Sequence, residues 1–259
     1  MFLKTKDGLT PTPLANQMAA IIPDALEQLA SSFNQFGSFD ISQRSEPLRI
    51  AVNPFLALSL PAKLHLHLEK VAPNILLEVE NWDETTPSKL SNGDIDLAIN
   101  YYPMTLPKEI ISQPIITDTF QILARVNHPL QKQPNISYID TIHYPFATVI
   151  VKGWNDRVTV ISKVFAQHNL APKMGYRSQV FSSVAQVAAE SDTLLPCSSL
   201  ISPNVFPHLA PIQLIDESPL VHEDVHLYYH HRRRNDPLIE CVFSMIKQIA
   251  DDLDSKSRT

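Results

Sequence analysis

The stretch Leu90-Ser-Asn-Gly-Asp-Ile-Asp-Leu-Ala-Ile99 decides the fold. It reads as the last turn of a helix, a stop at Gly93, and a short strand carrying Asp94 and Asp96. A glycine just past a helix suits the left-handed backbone that closes it. Ile95, Leu97 and Ile99 alternate as strand residues do. Upstream, Leu48-Arg-Ile-Ala-Val52 predicts a first strand, residues 56–71 an apolar-periodic helix, and residues 73–80 a second strand. Strand, helix, strand, helix, strand is the order of a doubly wound parallel sheet, which binds ligands at the carboxyl ends of its strands.

Downstream the same grammar returns. Residues 117–127 predict a long strand with Phe120, Ile122, Ala124 and Val126 on one face. Strands follow at 147–151, 173–179 and 193–196, with helices at 157–168 and 182–190 between them. A second long strand, 223–230, leads to a final helix over about 237–253. Two α/β halves joined by two long strands imply a hinge and a cleft between them. Before them, residues 12–36 predict one helix. Leu14, Met18, Ile22, Ala25, Leu29, Phe33 and Phe36 form a single apolar stripe at steps of three and four. Pro23 interrupts that helix and removes one backbone hydrogen bond. The stripe needs a cover, either the body of its own domain or a coiled-coil partner. Residues 37–46 are a polar, turn-rich connector.

Composition excludes several classes. The chain has 259 residues, 44% hydrophobic and 19% charged, which is ordinary for a globular protein of one large domain or two. No apolar run approaches the roughly 20 residues of a membrane helix. The N-terminal region, with Lys4 and Lys6 but no apolar core or small-residue cleavage site, reads against secretion. Cys197 and Cys241 form no paired motif, which fits a reducing, cytoplasmic setting. A net charge of −6 argues against a nucleic-acid surface spread over the whole chain.

Six collinear stretches resemble the LysR-type transcriptional regulators. Phe2-Leu-Lys-Thr-Lys-Asp-Gly-Leu-Thr-Pro-Thr-Pro-Leu-Ala15 resembles the wing and the entry to the linker helix of that family. Gln17-Met-Ala-Ala-Ile-Ile-Pro-Asp-Ala-Leu-Glu-Gln-Leu29 resembles the linker helix, in which a central proline is common. Residues 48–52, 72–79, 90–99 and 187–196 resemble regulatory-domain signatures, and Phe55, Asn74 and the proline-rich entry at 10–15 stand closest to a LeuO-like branch. The resemblance implies two Rossmann-like subdomains joined by two crossover strands, the type 2 periplasmic-binding-protein-like fold, after a long linker helix. It divides the chain into a wing remnant (1–11), a linker and dimerisation helix (12–36), a connector (37–46), subdomain I (47–116 and 226–259) and subdomain II (117–225). Most of the winged helix-turn-helix expected before the linker helix is absent. Glu190-Ser-Asp-Thr193 also stands where the family carries a glycine pair, which predicts a less tight turn.

An effector cleft needs donors, and helix N-termini supply free N–H groups with partial positive charge. The candidates lie in the turns after the predicted strands: Asn53 and Phe55, Asn81, Asn100 and Tyr101, and Gln179, Phe181 and Ser182. Ser182 is read as the cap of its helix, and Phe55 and Phe181 read equally well as core. Lys4 and Lys6 are read as phosphate contacts of the remnant wing, a small share of what DNA binding requires.

Neither catalysis nor a cofactor finds support. There is no nucleophile elbow, phosphate loop or dinucleotide fingerprint, and five glycines make a glycine-rich cradle improbable. His65 and His67 fall on opposite sides of a helix, and His222, His226 and His230 spread too far along a strand to share an ion. They are read as surface or capping residues, with no metal. The run His230-His-Arg-Arg-Arg234 is read as solvated or paired with acids.

These readings converge on the sensing and oligomerising part of a DNA-binding regulator. It would be a cytoplasmic homodimer or homotetramer, joined through the linker helix and regulatory domain, binding a small-molecule effector in the cleft. Promoter DNA would be a partner only with the missing head present, and the membrane would not be one. A free-standing solute-binding protein of the periplasmic type is the alternative, and a small-molecule enzyme the third reading.

Overall fold

The computed structural model describes residues 2–5, 8–35, 39–201, 205–215 and 222–257, which fall into two units, Met1–Ile41 and Ser42–Thr259. In the first unit, β1 (Phe2–Thr5) and β2 (Gly8–Pro11) form an antiparallel hairpin with Phe2 opposite Pro11. Helix α1 (Pro13–Gln35) follows. Thr12 starts it, its Oγ1 accepting the Ala15 N–H at 3.2 Å, and Pro13 brings the φ that a first turn needs. Pro23 lies inside α1, as the sequence predicts. Leu14, Ile22 and Leu29 of the apolar stripe are exposed, and Ile21 and Leu26 beside them are 67% and 59% exposed. The side chain of Phe33 and the whole of Phe36 lie outside the described residues.

The second unit opens with β3 (Leu48–Val52), α2 (Pro54–Ala57), α3 (Leu60–Val71), β4 (Leu77–Asn81), α4 (Thr86–Asn92), β5 (Leu97–Tyr101) and β6 (Ile110–Arg125). It continues with β7 (Phe146–Val149), α5 (Val160–Ala166), β8 (Met174–Ser178), α6 (Phe181–Glu190), β9 (Leu195–Ser198), β10 (Leu209–Pro211), β11 (His222–His230) and α7 (Pro237–Ser257). Strand β3 lies parallel between β4 and β5, with Ile50 opposite both Val79 and Leu97. Every residue of β5 is buried, as in a parallel strand covered on both faces. Gly93 closes α4 with φ at 83°, and its N–H reaches the Lys89 and Leu90 carbonyls.

Several boundaries move for physical reasons. The helix predicted over 56–71 is two helices. Pro61 sits in the first turn of α3, where its missing N–H costs nothing, so a new helix starts at Leu60. The strand predicted from Ile95 starts at Leu97, and just before it the Asp96 N–H donates to the Arg49 carbonyl at 2.9 Å. The Asp96 carboxylate accepts the Arg49 N–H at 2.8 Å and pairs with Arg233, which also holds Asp236 at 2.8 Å. Within the basic run Arg233 is therefore anchored to acids, and His230 caps the turn by accepting the Arg232 N–H at 3.1 Å.

Strand β6 is the axis of the unit. It starts at Ile110 rather than 117 and ends at Arg125, just before Asn127 turns left-handed at φ 64°. Pro114 hides its first half from a sequence reading, since proline cannot donate to a ladder. Here the register against β11 shifts between Val225 and His226, which face Ile116 and Pro114, and the bulge takes up the defect. Lys247 donates to the Ile115 carbonyl at 3.1 Å within that irregularity. From Ile110 to Thr119, β6 pairs with β11, which also pairs with β5. From Phe120 onward it pairs antiparallel with β9 and then β10, a strand the sequence does not announce.

Two α/β lobes thus share β6. In the second, β7 and β8 run parallel, and Leu194 stitches β7 to the start of β9 by two 2.8 Å backbone bonds, to Ala147 and Pro145. Phe146, Phe165, Leu130 and Leu194 centre the core of this lobe. Helix α7 packs on α3 and β6. Among the described residues no helix is long and apolar enough to cross a membrane.

Candidate functional site

The strands β3 and β5 end side by side, and their last polar residues lock each other. Asn53 follows β3 and caps α2, its Oδ1 accepting the Phe55 N–H at 3.0 Å. Its Nδ2 donates to Asn100 Oδ1 at 2.7 Å, and that oxygen also accepts the Tyr101 N–H at 2.8 Å. Both amides are fully buried. Their hydrogen bonds go to the protein, which fixes where Phe55 and Tyr101 point.

These two rings meet the second lobe. Phe55 makes edge-to-face contacts at 5.8 Å with Phe120, Trp154 and Phe181. Tyr101 stacks on Trp154 at 4.9 Å with the planes 19° apart. Phe181 in turn stacks on Phe206 at 5.7 Å. Asn155 pins the loop that carries Trp154, accepting the Val151 N–H at 2.7 Å and donating to the Val149 carbonyl at 2.9 Å. Each such aromatic pair contributes about 0.5–1.5 kcal/mol beyond the area it buries. The junction of the lobes is therefore packed with protein rings, and Phe55 and Phe181 are core residues of it.

A carboxylate lies in the same junction. Asp118, 1% exposed, accepts the Tyr101 hydroxyl at 2.8 Å and the Ser199 hydroxyl at 3.0 Å. Tyr101 belongs to the first lobe and Ser199 to the second, and Asp118 sits on β6 where its pairing passes from β11 to β9. Burial pushes the Asp118 carboxyl above its ordinary range, against the lowering effect of hydrogen bonds from Ser198, Tyr101 and Ser199. Burial likewise raises the Tyr101 hydroxyl well above its usual value, and the neighbouring Cys197 thiol rises for the same reason.

Beside the rings, a cavity of about 300 Å³ opens between the lobes, lined by Tyr102, Met104, Thr105, Trp154, Lys163 and Glu223. Burial raises the Glu223 carboxyl, with Lys163 acting the other way.

The remaining predicted site residues lie elsewhere. Asn81 and Gln179 are exposed, outside the cluster and the cavity beside it. Ser182 is not a cap: the residue preceding α6 is Val180, and Ser178 Oγ accepts the Val180 N–H at 3.1 Å. Ser182 is exposed and faces a different cavity, along α6. His226 is not a surface residue, being 9% exposed and stacked on Tyr102 at 4.4 Å. Lys4 falls in β1, and Lys6 lies outside the described residues.

Sequence reasoning missed Asp118, Trp154 and Phe206. A signal existed for the first: Asp118 shares the parity of Phe120, Ile122 and Ala124, the apolar face of its strand. The glycine-free turn at 190–193 is held by side chains instead. Ser191 Oγ donates to the Val187 carbonyl at 2.6 Å and accepts the Thr193 N–H at 3.2 Å, while Asp192 pairs with Arg125 at 2.7 Å.

Comparison with known proteins bears on this arrangement. Residues 42–251 match the family model described as the LysR substrate binding domain. The transcriptional regulator PhcA of Ralstonia nicotianae is 22% identical over 273 residues, covering 99% of this chain and 76% of its own length. Among solved structures, the regulator PA0477 of Pseudomonas aeruginosa superposes with a TM-score of 0.67 at 22% identity, covering 95% of this chain and 81% of that one. The regulatory domain of MexT, from the same organism, gives 0.64 at 16% identity over 80% of this chain and 98% of that domain. These relatives are transcriptional regulators, not periplasmic solute-binding proteins, which decides against the solute-binding alternative.

Proposed function

Because this chain belongs to the LysR family of transcriptional regulators, with its effector-binding part at residues 42–251, we propose that it senses a small molecule at the junction of its lobes and self-associates through α1. The observation that carries this reading is the single cluster in which Phe55 and Tyr101 of one lobe meet Phe120, Trp154 and Phe181 of the other, with a cavity on its flank. A molecule bound there touches both lobes, and it shifts the population toward whichever lobe arrangement it fits better. Phe55, Tyr101 and Phe181 are the responsive rings in this reading, and Asn53 and Asn100 their anchors. Subdomain I is 47–116 with 226–259, and subdomain II is 117–225.

Regulators of this family act as oligomers that bind effectors and DNA. For this chain we assign a homodimer or homotetramer working in the cytoplasm, without catalysis. The exposed leucines and isoleucines of α1 support the self-association, and Lys4 and Lys6 of the sequence supply at most part of a DNA contact.

The chain has two tryptophans, so a Trp82→Phe variant leaves Trp154 as the sole reporter at the junction. A metabolite panel is screened by melting temperature, since a ligand at 100 times its Kd stabilises by about 2.7 kcal/mol. Stabilising ligands are expected to shift Trp154 emission and to lose affinity for Thr105→Phe, which fills the flanking cavity. A ligand that stabilises the chain, leaves Trp154 unmoved and binds Thr105→Phe equally well would overturn the junction site.

A further inference from the structure

A second cavity, of about 620 Å³, runs along α6 and shares no lining residue with the one beside Trp154. Small side chains on one face of α6, Ser182, Ala185 and Ala189, form one wall, and Phe206 and Leu209 belong to the other. The volume is that of a site for a drug-sized molecule, and its walls are more apolar than polar, with Arg125, Ser182, Gln186, Glu190 and His208 supplying the polar side chains.

The charges at its rim are unequal. Arg125 is committed: Nε and Nη2 hold Asp192 at 2.9 and 2.7 Å, and Nη1 donates to the Val126 and Asn127 carbonyls. Glu190 has no ion-pair partner among the described residues, and Gln186 Nε2 donates to it at 3.0 Å. The lining therefore keeps one uncompensated negative charge beside apolar surface, a pairing that favours a cation and repels an anion.

We propose that this cavity is a second small-molecule site, for a mostly apolar molecule ending in an ammonium group, seated between α6 and Phe206 with its charge at Glu190. Phe206 stacks on Phe181, and Phe181 meets Phe55 at 5.8 Å. A molecule against Phe206 is thus two ring contacts from Phe55 of the first lobe. The proposal goes beyond the junction reading and stands without it.

The test titrates the whole chain calorimetrically with 2-phenylethylamine and, as an anion of similar shape, 3-phenylpropionate. The amine is expected to bind saturably, and the acid about tenfold more weakly or not at all. Ala189→Phe fills the cavity and weakens the amine by about tenfold or more. Ser182→Phe serves as the second blocker if near-ultraviolet dichroism shows Ala189→Phe misfolded. Glu190→Gln removes the preference for the amine, and Thr105→Phe leaves its binding unchanged. Failure of the amine to bind, equal binding of the acid, or retention in both blockers would overturn the proposal. Loss of the amine in Thr105→Phe but not in Ala189→Phe would move the molecule to the junction, sinking this site and leaving the effector reading intact.

Discussion

The lobe junction and the groove along α6 lie one ring contact apart, through Phe181 and Phe206, yet they are packed in opposite ways. At the junction, large rings reach across from both lobes and touch: Phe55 and Tyr101 against Phe120, Trp154 and Phe181. Along α6, the helix presents Ser182, Ala185 and Ala189 to Phe206 and Leu209, and open volume is left between them. A ligand entering the junction must displace contacts already made, each worth a fraction of a kcal/mol to about 1.5 kcal/mol. A ligand along α6 meets space. In the proposed reading, a junction ligand spends its binding on lobe movement and a groove ligand keeps it as affinity.

The sharpest break of this contrast is Phe55→Ala. Removing a fully buried ring from the junction is expected to cost about 3–5 kcal/mol, read from urea denaturation. Next is the buried carboxylate. Asp118→Ala is expected to cost about 1–3 kcal/mol by stranding the Tyr101 and Ser199 hydroxyls. Asp118→Asn, which keeps the shape, isolates the charge. Since burial raises the folded-state value above the ordinary 3.8, the folded chain binds the extra proton in the interval between them. Wild-type stability should therefore fall relative to the Asn variant as pH rises from about 4 through that interval, then run parallel above it. Parallel curves throughout would show the carboxylate unperturbed.

His128 gives the opposite slope from the second lobe. It is fully buried, its Nδ1 accepts the Leu130 N–H at 3.1 Å, and burial lowers its pKa from 6.5. The unfolded chain takes up the proton first, so wild-type stability should fall as pH drops below 6.5. His128→Asn, which keeps a cap acceptor, should flatten that limb, and chemical denaturation at stepped pH reads it. The smallest effect is Ala189→Phe in the groove, expected to change stability by no more than about 0.5 kcal/mol because the ring enters unoccupied volume. A large loss there would mean the groove is less open than its walls imply.

What was legible in the sequence follows from locality. Gly93 announced its left-handed turn and the alternation after Phe120 its strand, because backbone sterics act over a few residues. The first half of β6 was hidden by Pro114, whose defect is repaired by a bulge in the pairing with β11, over a hundred residues away. Asn53 and Asn100 were found as strand-end residues, but only their 2.7 Å contact shows that each spends its amide on the other. Ser182 looked like a cap by residue type, and the backbone started the helix one residue before it.

By itself the sequence determined the order of strands and helices and the presence of a cleft-forming pair of lobes, since periodicity and turn chemistry are short-range, and its resemblance to known regulators pointed to the family. Tertiary structure alone decided that the cleft is occupied by the protein's own rings, that Asp118 bridges the lobes, and that α6 borders an empty cavity. Those outcomes depend on which side chains from distant segments reach the same place, and on how much volume they leave, neither of which is written in the spacing of residues along the chain.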